Sequence, residues 1–150
     1  MLVDVVSEVV IDRPVDVVSA YAGDPGNAPA WYANIASVDW ETPPPLALGS
    51  RLAFVAHFLG RRLAYTYEVV VLSDRRLVMR TAQGPFPMET TYAWEQVGDG
   101  RTRMSLRNRG EPSGFSRVAA PMMTRAMSRA NAKDLARLKA LLESGTTAPR

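Results

Sequence analysis

Residues 51–72 read RLAFVAHFLGRRLAYTYEVVVL, two runs of alternating apolar and polar residues that meet at Gly60-Arg61. Alternation with a period of two is typical of a strand that buries one face, and a short glycine turn joins antiparallel neighbours. The stretch therefore predicts a hairpin of strands 51–59 and 62–72. The same pattern predicts three more strands, over 76–82, 86–97 and 101–109. Only short turns separate these strands, so the sheet is predicted to be antiparallel, because parallel strands need long crossovers.

Upstream of the hairpin the pattern changes from strand to helix and back. Residues 2–11, LVDVVSEVVI, are rich in valine, which favours a strand. A polar residue followed by proline is a helix-start signal, and it predicts a short helix over 14–22. The same signal at Asp24-Pro25 predicts a second short helix, with Asp24 as its N-cap, that ends near Trp31–Ala33. A further strand, 37–41, precedes three prolines that a central strand would not tolerate.

Downstream of the strands the apolar residues recur at helical spacing. Pro121 interrupts this pattern, so we expect a short lead-in, a bend near Pro121 and a continuous helix over about 122–143. Its main apolar stripe is predicted to contain Phe115, Val118, Met122, Ala126, Ala130, Leu138 and Leu142, flanked by Met123, Met127, Leu135 and Leu141. Gly145 ends the helix, so residues 1–145 are expected to form one domain and 146–150 a flexible tail.

These elements predict an α+β fold in which a curved seven-stranded antiparallel sheet surrounds a long C-terminal helix, with two short helices after strand 1. Seven antiparallel strands twist and curl, and the long amphipathic helix is the only element able to cover the concave face. The radius of curvature of such a sheet is larger than the radius of a helix, so the two surfaces do not fit closely everywhere. We therefore expect a cavity between the two, and a cavity is the usual place for a ligand.

Composition excludes several classes of site. The 150 residues are 47% hydrophobic and 22% charged, include no cysteine and only one histidine, His57, and carry a net charge of +3. Thiolate metal sites, disulfides and multi-histidine metal sites are therefore ruled out, and we expect no metal and no cofactor. The mild charge predicts no nucleic-acid partner. No apolar run reaches membrane-span length, and Asp4 and Glu8 interrupt the first apolar run, so we expect no signal peptide, no membrane insertion and a cytoplasmic protein.

Three segments and the C-terminal helix resemble the START-like, or SRPBCC, superfamily, in its polyketide cyclase/dehydrase and lipid-transport group. The segments are VVIDRPVDVVSAYAGDPGNAPAWYANI (9–35), the pair LGSRLAF and FLGRRLAYTYEV (within 48–69), and GPFPMETTYAWEQVGDGRTRMSL (84–106). The resemblance implies a helix-grip fold and a hydrophobic cavity, in a family whose members bind lipids, sterols, polyketides or plant hormones and in some cases cyclise or hydrolyse. No motif transfers a catalytic residue, so the catalytic residues remain unknown.

Strand parity predicts which side chains face the cavity. Charged residues must point outward, and this places their sequence neighbours inward and His57 outside. The predicted cavity residues are Trp31, Phe54, Phe58, Tyr65, Tyr67, Met88, Thr90, Tyr92, Trp94, Asn108, Met122, Met123 and Met127. Alternatives remain open: the tyrosine hydroxyls could bond the sheet rim, the methionines could be plain core, and Trp31 could anchor the second short helix rather than form the cavity mouth.

Three classes of function fit these observations. The first is a binding protein that carries or sequesters a small, mainly hydrophobic molecule, aromatic compounds included, since inward aromatic rings and hydroxyls occur without an acid–base pair. The second is a polyketide cyclase/dehydrase-type enzyme that positions a folded chain in the same cavity, with tyrosine hydroxyls assisting enolisation. The third is a protein-interaction module, or a homodimer formed through an exposed sheet edge.

Overall fold

A computed structural model describes residues 2–112 and 119–144 of the chain. In chain order the elements of this part are β1 (Val3–Ile11), α1 (Val15–Ala22), a 3₁₀ turn (Pro25–Asn27), α2 (Ala28–Trp31), β2 (Ile35–Trp40), β3 (Arg51–Phe58), β4 (Arg61–Leu72), β5 (Arg76–Gln83), β6 (Met88–Gln96), β7 (Thr102–Gly110) and α3 (Ala120–Glu143). The predicted order of elements is thus confirmed. The predicted lead-in to the long helix, with Phe115 and Val118, and the tail 146–150 lie outside the described residues.

The seven strands form one curled antiparallel sheet in the order β1-β7-β6-β5-β4-β3-β2. The first strand pairs with the last, from Val3 opposite Gly110 to Ile11 opposite Thr102, and β2 forms the other edge beside β3. The sheet curls around α3, as the helix-grip fold predicts.

Local sequence signals explain where the short helices begin. The Asp24 side chain accepts a hydrogen bond from the Gly26 N–H at 2.9 Å, so its predicted capping role is confirmed. Pro14 is the residue before α1 rather than its first helical residue, and its φ of −60° leads the chain into Val15.

The helix α3 begins at Ala120, so Pro121 lies in its first turn and not in its interior. A proline there costs no hydrogen bond, because the first N–H groups of a helix have no partner in the helix. The buried face of α3 differs from the predicted stripe: the buried side chains are Met123, Asn131, Asp134, Leu135, Leu138 and Leu142. Met122, predicted to face inward, is 64% exposed, because the buried face lies one residue further along the helix.

A β-bulge modifies the predicted parity of β4. The register with β5 first shifts between Thr66 and Tyr67, but the extra residue there is Ala82 of β5, so the alternation of β4 continues through Tyr65 and Tyr67. Thr66, expected outside, donates a hydrogen bond from its hydroxyl to Glu41 at 3.2 Å. A second shift between Val69 and Val71 leaves Val71 37% exposed, although strict alternation predicts it inside. An extra residue at a bulge reverses the faces that follow it.

The C-terminal end of α3 is fixed to the strand–helix junction after β1. The Arg13 guanidinium donates to the Leu142 carbonyl at 2.6 Å, and the Lys139 ammonium donates to the Val10 carbonyl at 2.9 Å. The Asp12 N–H donates to the Glu143 carboxylate at 2.7 Å. At this end the helix lies against the main core, which contains Leu135, Leu138 and Leu142.

Candidate functional site

A cavity of about 140 Å³ lies between the concave face of the sheet and α3. Its wall is formed by inward side chains of β3 to β7, by residues 123–134 of α3, and by the segment that follows α2. A cavity of roughly 150 Å³ lined by apolar groups accommodates a benzene ring. The space therefore suits a ligand with about one ring.

Ten of the thirteen predicted cavity residues line this space. They are Phe54, Phe58, Tyr65, Tyr67, Met88, Thr90, Tyr92, Asn108, Met123 and Met127. Strand parity places those on the strands, since each alternates with an outward neighbour. His57 is exposed, as parity predicts for its side chain, but it is also among the residues that line the cavity. That these residues bind a ligand remains a prediction.

The other three predicted residues do not line the cavity. Met122 points to solvent, for the reason given above. Trp31 is fully buried beneath α2, with its ring centroid 4.2 Å from that of Tyr32, so it is an anchor of the helix. Trp94 is buried two residues beyond Tyr92, where its ring lies close to Gly23 at the end of α1. Both tryptophans therefore belong to the main hydrophobic core.

Fifteen further lining residues were not predicted, and three of them, Tyr32, Asn131 and Asp134, make the polar contacts described below. Tyr32 follows α2 directly, in a segment without periodicity, where no parity rule applies. Asn131 and Asp134 are 5% and 4% exposed on α3. Continuing the helical spacing from Met123 through Met127 leads to Asn131, so the signal was present, but polar helix residues are ordinarily assigned to solvent.

Aromatic rings form one side of the cavity. The rings of Phe54 and Tyr65 are stacked at 5.4 Å between centroids, and Tyr67 meets them edge-on at 5.5 and 5.0 Å. Such arrangements are the favourable ones for aromatic pairs. The rings hold one another in place, so the wall is rigid and presents flat apolar surfaces.

A chain of hydrogen bonds crosses from α3 to β4 behind this wall. The Asn131 amide donates to Asn108 Oδ1, and the Asn108 amide donates to Thr90 Oγ1, each at 2.8 Å. The Thr90 and Tyr67 hydroxyls are bonded to each other, also at 2.8 Å. A buried polar group without a partner costs about 1–3 kcal/mol. The chain avoids that cost for four side chains, so it helps to fix the position of α3 relative to the sheet.

A second polar group lies where the segment after α2 meets the cavity. The Tyr32 and Tyr92 hydroxyls are 2.7 Å apart, and the Ala33 N–H donates to Asp134 Oδ1 at 3.1 Å. These two bonds tie residues 32–33 to β6 on one side and to α3 on the other. The segment is thereby held as a wall of the cavity.

Burial governs the ionisation of the groups in the cavity. It raises the pKa of Tyr32 and Tyr65 well above that of a free phenol, with smaller contributions from nearby tyrosines. Burial also raises the pKa of Tyr67 and Tyr92, and of the Asp134 carboxyl. All four tyrosines are consequently protonated hydroxyls at neutral pH, able to donate hydrogen bonds but not to act as phenolates.

The cavity can enclose a ring and can donate hydrogen bonds to a polar group attached to that ring. Asp134 is the only carboxylate among the described lining residues, so no carboxylate pair is present there. Within residues 2–112 and 119–144, no three histidine, aspartate or glutamate side chains are grouped as metal ligands. No helix in this described part is long and apolar enough to cross a membrane.

Three solved structures resemble the chain over nearly its whole length. A START superfamily protein from Mycobacterium smegmatis has a TM-score of 0.82 at 16% identity, with 95% of this chain and 99% of that one covered. The protein TTHA0849 from Thermus thermophilus has a TM-score of 0.81 at 18% identity, with 96% and 99% covered. The Zhui aromatase/cyclase from Streptomyces sp. R1128 has a TM-score of 0.77 at 15% identity, with 99% and 98% covered. At these identities the likeness shows the shared fold.

Sequence comparison identifies the family. No curated protein matches the sequence significantly. Residues 3–143, however, match the model of a family described as polyketide cyclase / dehydrase and lipid transport. Because that match covers almost the entire chain, the protein belongs to the polyketide cyclase / dehydrase and lipid transport family.

Proposed function

We propose that the protein binds a small, mainly hydrophobic molecule in the cavity between the sheet and α3, and that it carries or sequesters this molecule. The observation that carries the proposal is a space of about 140 Å³ that a folded core would otherwise fill. Protein interiors are close-packed, and an unfilled space of this size forfeits dispersion contacts along its walls. A ligand that fills the space recovers those contacts.

The side chains that line the cavity suit an aromatic or similarly flat ligand. Phe54 and Tyr65 present stacked rings, and the methionines Met79, Met88, Met123 and Met127 also line the cavity. Methionine side chains are flexible and polarisable, so they adapt to ligands of different outline. The family description, which includes lipid transport, agrees with this use.

A cavity-filling substitution tests the proposal. Ala56 lines the cavity, and replacing it with methionine adds a flexible apolar side chain without removing any polar contact. We expect Ala56→Met to weaken binding of a one-ring probe such as toluene at least tenfold, because side chain and probe compete for the same space. The matched control is Ala53→Met on the same strand, whose side chain points to the other face.

The measurement is a nuclear magnetic resonance titration with toluene, combined with native mass spectrometry of the protein purified from its host. A co-purified apolar molecule that is lost in Ala56→Met would support the proposal directly. Equal affinity of wild type and Ala56→Met for toluene, with both correctly folded, would show that the cavity is not the binding site.

A second candidate function is a cyclase that uses the same cavity. One observation favours it: Asp134 and the Tyr32–Tyr92 hydroxyl pair lie together in the wall of a fold similar to an aromatase/cyclase. Tyr65→Phe and Tyr92→Phe separate the two functions. A carrier loses modest affinity in these variants, whereas a cyclase that needs the hydroxyls loses turnover of a linear poly-β-ketone by orders of magnitude.

A further inference from the structure

The hydrogen bonds among the hydroxyl groups of the cavity use only part of the protons of these groups. Five lining residues of the described chain have a hydroxyl group, and each contributes one proton: Tyr32, Tyr65, Tyr67, Thr90 and Tyr92. Two hydrogen bonds join them, one between Tyr32 and Tyr92 and one between Tyr67 and Thr90. Whichever partner donates, each bond uses one of its two protons. Three hydroxyl protons therefore remain without an acceptor in this set.

The amide chain does not remove the surplus. The Asn108 amide donates to Thr90 Oγ1, which occupies a lone pair of that hydroxyl rather than supplying an acceptor for its proton. The Asn131 amide likewise donates to the Asn108 oxygen. The Asn108 amide thus brings a further donor to the Thr90 hydroxyl, and the Asn108 oxygen is already bonded to Asn131. Neither contact provides an acceptor for a hydroxyl proton.

Asp134 is the one anionic acceptor among the described lining residues, and it cannot balance the count. Its Oδ1 accepts the Ala33 N–H. In the described part of the chain no tyrosine hydroxyl bonds to its carboxylate. Even if Asp134 accepted one hydroxyl proton through a small shift, two would remain.

Tyr65 is the clearest of these unused donors. Its ring is fixed by stacking on Phe54 and by the edge of Tyr67, and it lines the cavity. None of the hydrogen bonds in residues 2–112 and 119–144 involves its hydroxyl. The ring cannot turn away without breaking two aromatic contacts, so the hydroxyl is held in place with no hydrogen-bond partner among residues 2–112 and 119–144.

We propose that the cavity selects a one-ring ligand that bears a hydrogen-bond-accepting oxygen, of the aryl ketone type, and that the Tyr65 hydroxyl donates to that oxygen. This inference rests on the proposed binding function. A wholly apolar ligand would displace water and leave the surplus protons buried without acceptors, at a cost of about 1–3 kcal/mol for each group. A ligand that brought further donors would add to the surplus. A carbonyl oxygen has two lone pairs and no proton, so it can accept the proton of the Tyr65 hydroxyl without bringing a further donor.

Two probes of the same shape isolate the effect of the acceptor. Acetophenone has a carbonyl group where α-methylstyrene has a C=CH₂ group, and the two are otherwise alike in outline. Both are titrated into wild type, Tyr65→Phe and Tyr21→Phe, with binding followed by two-dimensional nuclear magnetic resonance. Tyr21 is the matched control, because it lies on α1 outside the cavity lining. Tyr65→Phe removes a hydroxyl that bonds to no residue in the described part of the chain, so the variant is expected to fold, which its melting temperature verifies.

The expected result is a loss specific to one probe in one variant. Tyr65→Phe weakens acetophenone about fivefold, the range of one neutral hydrogen bond, and leaves α-methylstyrene unchanged or slightly tighter. Tyr21→Phe changes neither affinity. An equal effect of Tyr65→Phe on the two probes, or no effect on acetophenone, would overturn the inference while the binding function stands. If neither probe binds wild type at millimolar concentration, the proposed binding function itself is wrong, and the inference with it.

Discussion

Asn131 is the residue on which the polar side of the cavity depends. Its amide is the first donor of the chain that runs through Asn108 and Thr90 to Tyr67. We predict that Asn131→Leu lowers the free energy of unfolding by about 2 kcal/mol, because Asn108 Oδ1 loses its donor in a buried position. Urea denaturation measures the change. The control is Ser128→Leu on the exposed face of the same helix, which should stay within about 0.5 kcal/mol of wild type. Equal effects of the two substitutions would show that the chain contributes nothing.

Asp134 links stability to pH. Burial raises the pKa of its carboxyl above the ordinary 3.8, although the Ala33 N–H and the charge of Arg137 oppose that rise. The folded state then retains the proton to higher pH than the unfolded chain, so this group lowers stability as the pH rises above about 3.8. We predict that the stability of Asp134→Asn relative to wild type increases between pH 3.5 and 7.5.

Urea denaturation at several pH values measures that difference, and Glu143 supplies a control of opposite sign. Hydrogen bonds from Lys139 and from the Asp12 N–H lower the pKa of Glu143. Its stabilising effect is therefore lost as the pH falls, and Glu143→Gln should lose stability relative to wild type as the pH rises. A difference between Asp134→Asn and wild type that is constant with pH would contradict the assignment.

The sequence predicts which side chains of a strand face the cavity wherever inward and outward residues alternate regularly. Tyr65, Tyr92 and Asn108 line the cavity because their outward neighbours are charged or small. The exposure of Val71 was not predictable, since a bulge depends on how β4 and β5 pair and leaves no fixed sequence mark. The two polar residues of α3 were missed for another reason: their burial depends on partners, Asn108 and Ala33, that are distant in sequence.

At the scale of the element, the rotation of α3 about its axis decides which of two neighbouring methionines is buried. Met123 is fully buried in the second apolar cluster with Leu63 and Phe86, whereas Met122 is 64% exposed. We predict that Met123→Ala lowers the free energy of unfolding by about 2 kcal/mol or more and that Met122→Ala changes it by less than about 0.5 kcal/mol. Thermal or chemical denaturation distinguishes them. The reverse order would mean that the helix is rotated about its axis.

The β3–β4 hairpin contains a strained residue that a substitution can relieve. Leu59 has a φ of +49° and Gly60 a φ of +77°, the left-handed pair of a two-residue turn that favours Asn-Gly. We predict that Leu59→Asn raises the free energy of unfolding by about 0.5–1 kcal/mol, because asparagine tolerates this conformation better than leucine. Leu59→Val is the control and should be destabilising, since a β-branched residue fits it worst. A less stable Leu59→Asn variant would refute the explanation.

The sequence predicts the presence of the strands and helices more reliably than it predicts which face of the long helix is buried. Turn glycines and strand alternation define β3 and β4 locally. The predicted stripe is correct at Leu138 and Leu142 but wrong at its first turn, because Met122 and Met123 are both apolar and either could begin the stripe. The positions of Asn131 and Asp134 against the sheet distinguish the two possible rotations of α3, one that buries Met122 and one that buries Met123.

At the scale of the whole molecule, α3 packs on the sheet near both of its ends, and at its N-terminal end Met123 lies in a buried cluster with Val5 and Leu63. Near its C-terminus α3 is fixed to the residues after β1, through Arg13 and Lys139, and buries Leu138 and Leu142. Along its N-terminal half, from Met123 to Asp134, it borders the cavity. The cavity therefore lies between the curled sheet and the N-terminal half of α3, where Asn131 and Asp134 bond the helix to β7 and to the segment after α2.

Methionine methyl groups offer the most direct test of whether a ligand occupies this space. Met79, Met88, Met123 and Met127 line the cavity, whereas Met104 is buried outside the lining and Met122 faces solvent. With ¹³C-methyl-methionine and acetophenone, intermolecular nuclear Overhauser effects from the ring protons should reach the lining methyl groups and spare those of Met104 and Met122. Contacts to Met122 with none to Met123 and Met127 would contradict the central claim, because the ring would then lie on the surface and not between the sheet and α3.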